Sequence, residues 1–172
     1  MIKKVVIIGA GNVATHLSKA IKNAGFEILQ IVSRTEESAR ALGTLLDVQY
    51  TCNPAEINAE ADLYIVSVKD DAIATALSTF NLPKDALVVH TAGSVPMDIL
   101  KEFSSNIGIL YPLQTFSKAK DVNFKEIPVY IEANTQESTS KLLQFASAFS
   151  DRAKEVNSSM RAQVHLAAVF AC

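Results

Sequence analysis

Val5-Val6-Ile7-Ile8-Gly9-Ala10-Gly11-Asn12-Val13-Ala14 is the stretch that decides the fold. Four β-branched residues in a row suit a parallel strand covered on both faces, where no polar alternation is needed. The strand runs directly into Gly9-x-Gly11-x-x-Ala14, and each small residue has a steric reason. Gly9 permits a tight turn, Gly11 lets a pyrophosphate touch the backbone, and Ala14 lets the next helix lie close on the strand. That helix would direct unpaired N–H groups and its positive dipole end at phosphates. Residues 9–14, including Ala10, Asn12 and Val13, are therefore the expected dinucleotide-binding loop.

Outward from this loop the chain reads as ordinary globular protein. It has 172 residues, 49% hydrophobic and 20% charged, with a formal net charge of −2. No run of Lys or Arg occurs, which argues against nucleic acid or an anionic membrane as the main partner. The apolar start breaks at Gly9 and polar Asn12, Thr15 and His16 follow, so no signal-peptide core forms. Cys52 and Cys172 lie far apart without metal-ligand spacing, and the expectation is reduced thiols, no metal site and a cytoplasmic location.

The first helix is expected over Asn12 to Asn23, with Val13, Leu17 and Ile21 on one face and Gly25 ending it. His16, beside that stripe, reads as a structural histidine. A second strand over Glu27–Val32 ends at Ser33-Arg34-Thr35. An NAD site would place an acidic residue about here to take the ribose hydroxyls. A guanidinium flanked by hydroxyls instead suits the 2′-phosphate of NADP. The alternative is that Arg34 is merely solvated and Glu36 or Glu37 serves as the ribose acid.

Further on, a helix over Glu36–Leu42 is expected to stop at Gly43, and Asn53-Pro54 reads as a helix start. The strand Ala61–Val68 leads into Lys69-Asp70-Asp71, where Asp70 is a candidate helix cap. Val68, Lys69 and Asp70 would border the nicotinamide ribose. Ala86–Val89 empties into His90-Thr91-Ala92-Gly93-Ser94, placing polar and small residues at the ligand edge. Thr91, Gly93 and Ser94 are candidate substrate contacts, with Thr91 and Ser94 equally readable as turn and capping residues before a helix over Met97–Phe103. After Ile107–Leu110 comes a loop carrying Gln114 and Thr115, also candidate substrate contacts. Val129–Glu132 is a further strand, Asn134 with Glu137 resembles a capping box, and Arg152–Val156 is a plausible last strand. Strands alternating with helices in this way define an α/β, Rossmann-type doubly wound and mostly parallel sheet over residues 1–157.

Residues 158–172 read differently. Ser159 to Cys172 is apolar nearly all round a helix, with Val164, Leu166, Ala167, Ala168, Val169, Phe170 and Ala171. Such a helix must be covered by other structure. The expectation is the first helix of a C-terminal helical element, covered by a further domain or a partner chain. His165 lies on it, readable as a hydrogen-bonded core residue or as a proton donor.

The runs Gly9–Leu17, His90–Ser94, Tyr111–Phe116 and His165–Ala171 together resemble a bacterial family of NADP oxidoreductases, across essentially the whole chain. That family joins a Rossmann-like domain to a C-terminal helical domain of unknown function. More distantly the chain is similar to deazaflavin-dependent NADP oxidoreductases, pyrroline-5-carboxylate reductases and the 6-phosphogluconate dehydrogenase group. The resemblance implies an NADP(H)-binding sheet of about eight strands and a helical dimerisation domain, hence a homodimer. In the dehydrogenase group the loop matching His90–Ser94 holds substrate, and a helix matching Ser159–Cys172 carries a catalytic lysine. This chain has no lysine there.

Two functions follow as expectations. One is hydride transfer between NADPH and a small carbonyl or imine, with His90 or His165 as the proton donor, since imidazole titrates near working pH. The other is an NADP(H)-binding sensor or interaction module without turnover, which the missing lysine favours. A methyltransferase reading of the glycine loop wants an acidic residue where Ser33-Arg34 stands.

Overall fold

The computed structural model describes residues 1–171; Cys172, and the side chains of Val169 and Ala171, lie outside that description. Eight strands form one sheet: β1 (Lys4–Ile8), β2 (Glu27–Val32), β3 (Gln49–Thr51), β4 (Leu63–Val66), β5 (Leu87–His90), β6 (Asn106–Pro112), β7 (Val129–Ala133) and β8 (Ala153–Glu155). Five helices accompany them: α1 (Asn12–Asn23), α2 (Glu36–Leu46), α3 (Ile73–Leu77), α4 (Gln136–Ser147) and α5 (Ser158–Ala171). The strand order is β3-β2-β1-β4-β5-β6-β7-β8. Pairings are parallel from β3 to β6, β7 runs antiparallel to β6, and β8 is parallel to β7.

β1 lies inside this sheet, and its unbroken apolar run has a direct cause. Val5 and Ile7 pack with Leu17 and Ile21 of α1, Leu42 of α2 and Phe145 of α4. Val6 and Ile8 pack on the other face with Ile73 and Leu77 of α3 and with Leu100. Neither face meets water, so neither needs polar residues.

Several local expectations are corrected. α2 does not stop at Gly43 but continues to Leu46, with Asp47 as a left-handed C-cap at φ 52°. Gly43 is small because Tyr50 of β3 lies against it. The Met97–Phe103 helix shrinks to a 3₁₀ turn over Met97–Leu100, closed when the Leu100 carbonyl accepts the N–H of both Phe103 and Ser104. Asn53 caps as expected, accepting Ala55 N–H with Pro54 at the first helical position, and the element it opens is a 3₁₀ turn to Glu56. Asn134 does not cap α4. Its side chain bridges Ile107 N–H and the Ser105 carbonyl, and Thr135 caps the helix by accepting from Ser138 N–H. α1 and Gly25, at φ 89°, stand where the pattern put them. Among the described residues, no helix is long and apolar enough to cross a membrane.

Candidate cofactor and substrate site

The sheet order reverses between β1 and β4, and in an open parallel sheet a ligand crevice lies beyond the strand ends at such a point. The glycine loop occupies that point. Gly9 adopts φ 117°, donates its N–H to the Val32 carbonyl at 2.7 Å, and would drive a Cβ into the Ser67 carbonyl. Its bareness is demanded by three converging strand ends. Gly11 differs: it is exposed at φ −80°, and a Cβ there would meet nothing within 4 Å. Nothing in the protein requires that glycine; it leaves room above the backbone.

Gly11 is also the N-cap of α1, with no side-chain cap and no acidic residue in the first turn. The first helical hydrogen bond runs from Thr15 N–H to the Gly11 carbonyl, so the N–H groups of Asn12, Val13 and Ala14 precede it without helical acceptors. α2 and α4, by contrast, are capped by Thr35 and Thr135. An open glycine before an uncapped helix start fits a pyrophosphate. Ala10 and Ala14 are buried beside it. Asn12 donates its side-chain amide to the Phe116 carbonyl at 2.9 Å, which ties the start of α1 to the loop after β6. His16 is structural, as expected: it is buried, stacks on Phe116 and meets the Ser117 carbonyl through Nε2 at 2.8 Å.

Ile8 pairs with Val32, so residues 33–35 leave β2 beside the loop. Ser33 is half-buried with its N–H on the Thr51 carbonyl, and Arg34 is exposed. Thr35, an expected phosphate ligand, is first of all the cap of α2: its hydroxyl accepts Ser38 N–H and donates to Ser38 Oγ. Glu36 and Glu37 fall in the first turn of α2.

On the other side of the crevice, His90 ends β5 with no exposed surface. Its Nδ1 accepts Ala92 N–H at 3.2 Å, and its Nε2 faces the Pro96 carbonyl at 3.4 Å, which requires a proton on Nε2. Burial pushes its pKa down to about 4, against the opposing pull of the Pro96 carbonyl. Both nitrogens are thus engaged by main chain, and the ring shapes the loop that follows. Thr91 donates to Ser67 Oγ at 3.2 Å and Ser94 to Asp70 Oδ2 at 3.1 Å. Asp70 is therefore not a helix cap but the partner of the loop; exposed Lys69 and half-buried Val68 precede it.

Register places the next residues. His90 pairs with Ile109, so Leu110, Tyr111 and Pro112 of β6 overhang β5 by three residues. Tyr111 stands on this overhang, and its hydroxyl meets His165 Nδ1 at 2.9 Å, ring edge to face. Both rings rest on Gly93, where a Cβ would collide with His165 Nδ1 and Tyr111 Cζ. Burial holds the Tyr111 phenol above its ordinary range. One turn before His165, Arg161 is 2% exposed, pairs through Nε with Glu132 Oε2 at 3.3 Å, and donates Nη1 to the Gly93 carbonyl at 2.5 Å. Gln114 and Thr115, beyond the end of β6, are exposed.

The structure thus sets Gly93 against His165, ties Thr91 to Ser67 and Ser94 to Asp70, and adds Tyr111, Arg161 and Glu132, which the sequence does not single out. One signal was available. Arg161 is the only Lys, Arg, Asp or Glu between Ser158 and Ala171, and a lone guanidinium in an uncharged helix needs a buried partner. Two surface cavities, of about 400 and 340 Å³, lie elsewhere. One is beside Met1, Asp62 and Glu137, the other beside His16, Lys19 and Phe149, and neither is lined by the glycine loop.

Together the sheet order, its reversal and the glycine loop define a Rossmann-type α/β protein. Residues 4–93 match the family described as NADP oxidoreductase, coenzyme F420-dependent. The chain is 48% identical to a "putative NADP oxidoreductase" of Bacteroides fragilis over 99% of its own length and 66% of that chain, with a TM-score of 0.94. This chain belongs to that NADP oxidoreductase family, and it spans just under two thirds of that relative. Fold alone is shared with protein TM1727 of Thermotoga maritima, at 24% identity and TM-score 0.75 over 97% of this chain and 62% of that one. It is likewise shared with a 1-pyrroline-5-carboxylate reductase of Streptococcus pyogenes, at 17% identity and TM-score 0.74 over 91% and 59%. No curated protein matches the chain.

Proposed function

We propose that this chain binds NADP(H) and serves hydride transfer between the nicotinamide and a small carbonyl or imine. The observation that carries the reading is the start of α1: Gly11 with open space above it, followed by three N–H groups without helical acceptors. When bound, the cofactor supplies the hydride; the chain supplies position and electrostatics. Residues 9–14 hold the pyrophosphate. Arg34, exposed at the tip of β2, takes the 2′-phosphate, with Ser33 and Thr35 beside it as hydroxyl neighbours. Val68, Lys69 and Asp70 border the nicotinamide ribose.

On the substrate side, Thr91 and Ser94 form the floor, Gly93 lies beneath the His165 and Tyr111 rings, and Gln114 and Thr115 form the rim. Of the two candidate proton donors, the role goes to His165. His90 has both nitrogens on main chain, whereas only Nδ1 of His165 has a hydrogen-bond partner among the described residues. We place a second copy of the chain along α5, where Leu166 and Phe170 are 57% and 83% exposed.

Titration with NADPH and NADH tests the cofactor assignment. Arg34→Ala combined with Ser33→Asp is expected to weaken NADPH at least tenfold while leaving NADH nearly unchanged. Equal losses would show that Arg34 does not read the phosphate. A carbonyl and imine panel followed by NADPH oxidation then tests turnover. Tight binding with no oxidation on any substrate would favour a sensor.

A further inference from the structure

We infer that Tyr111 is the positioning residue for His165, fixing its ring so that Nε2 alone exchanges protons with the substrate. The inference rests on the proposed hydride transfer for its purpose, but its geometry stands apart from it. Two contacts hold the imidazole on one side, and an anchored helix carries it. The Tyr111 hydroxyl meets Nδ1 at 2.9 Å. Gly93 gives the Nδ1–Cγ edge a seat that no side chain shares, since a Cβ there would collide with both atoms. Arg161, four residues earlier on the same face of α5, anchors the helix to Glu132 and to the carbonyls of Ala92 and Gly93. Nε2, one carbon away from Nδ1, has no hydrogen-bond partner among the described residues.

The chemistry follows from the hydroxyl's two roles. A phenol kept neutral by burial can donate to a bare Nδ1, and its oxygen can accept from a protonated one. His165 therefore keeps one partner whether neutral or cationic, and the ring need not turn between the two states. Were the substrate carbon to receive a hydride from a bound nicotinamide, the carbonyl or imine π pair would move to oxygen or nitrogen. That atom would take the proton from Nε2 of cationic His165, leaving the neutral ring with its remaining proton on Nδ1, directed at the Tyr111 oxygen. Solvent then restores a proton to Nε2, regenerating the cation; where the ring is neutral at rest, it is Nδ1 that has released its proton to solvent, Nε2 keeps its own, and the phenol donates to the bare Nδ1. Tyr111 thereby acts through His165 without touching substrate.

The chain has three histidines, so their ring nitrogens can be resolved by ¹⁵N NMR on histidine-labelled protein. His165→Gln would assign the signals. At alkaline pH, native His165 is expected in a single tautomer, protonated on Nε2 with a bare Nδ1. Tyr111→Phe, which keeps the ring and loses the hydroxyl, is expected to convert it to a mixture of both tautomers. Gly93→Ala keeps both rings but displaces them, and should give the same mixture; it also decides the matter should the phenylalanine variant fail to fold. Unchanged His165 signals in these variants, or a native Nδ1-protonated neutral ring, would overturn the inference. This readout needs no turnover. If no substrate is ever reduced, the proposed function fails while the tautomer still tests Tyr111. If turnover is found, Tyr111→Phe should lower kcat at least tenfold with NADPH affinity unchanged.

Discussion

Gly9 and Gly11 are two positions apart, yet a methyl group added to each should have opposite effects. At Gly9 it meets the Ser67 carbonyl at a φ that side chains avoid. Gly9→Ala is therefore expected to cost about 2 kcal/mol or more of stability, read as a lower urea midpoint. Gly11→Ala meets nothing and should keep native stability, while NADPH titration shows a loss of affinity of tenfold or more. His90 carries a pH signature. Its folded pKa of about 4 lies below the ordinary 6.5, so the unfolded chain binds the extra proton between those values. The stabilisation is complete above pH 6.5 and is lost as pH falls toward 4, roughly 3 kcal/mol in all. Urea melts across this window should slope accordingly, and His90→Asn should flatten them. Both glycines were legible in the sequence, because the turn's sterics are local. The engagement of His90 was not, since Ala92 and Pro96 reach it only through the loop's path.

α5 shows how a helix of low sequence information becomes part of a site. Its apolar composition suggested a covering element, but its docking onto the sheet depends on Arg161 and Glu132, at 2% and 12% side-chain exposure. Removing one partner of a buried pair strands the other, at a cost of about 3–5 kcal/mol. Arg161→Met should therefore raise hydrogen exchange along residues 158–168 far more than in α1 or α4. Adding Glu132→Gln should recover part of the protection, because no lone carboxylate remains. Element boundaries were readable where one strong signal acted, as at Gly25. They were misread where two competed: Gly43 looked like a helix stop but accommodates Tyr50, and Asn134 looked like a cap but bridges β6 to the β7 end. Tyr111 and His165, 54 residues apart, meet only through the register of β6 and the anchoring of α5.

Taken whole, the molecule is a sheet covered on two sides, and β1 belongs to both cores. Ile7→Ala, at a position with no exposed surface, should cost about 2–5 kcal/mol and lower the melting of the entire domain in one transition. Leu166→Ser, on the open side of α5, should change it by about 0.5 kcal/mol or less in the isolated chain. The overhang of β6 past β5 carries a further consequence. Successive side chains of a strand point to opposite faces, so shortening the 101–105 connection by one residue would offer Pro112 to His165 and send the phenol inward to the place of Leu110. Leu110 is wholly enclosed, packed with Leu142 and Phe145, and a hydroxyl sent there would find oil instead of an imidazole. The distance along the chain between the β5 and β6 ends thus behaves as a tuning length: a single deletion far from any ligand would disarm the site and spoil the core together.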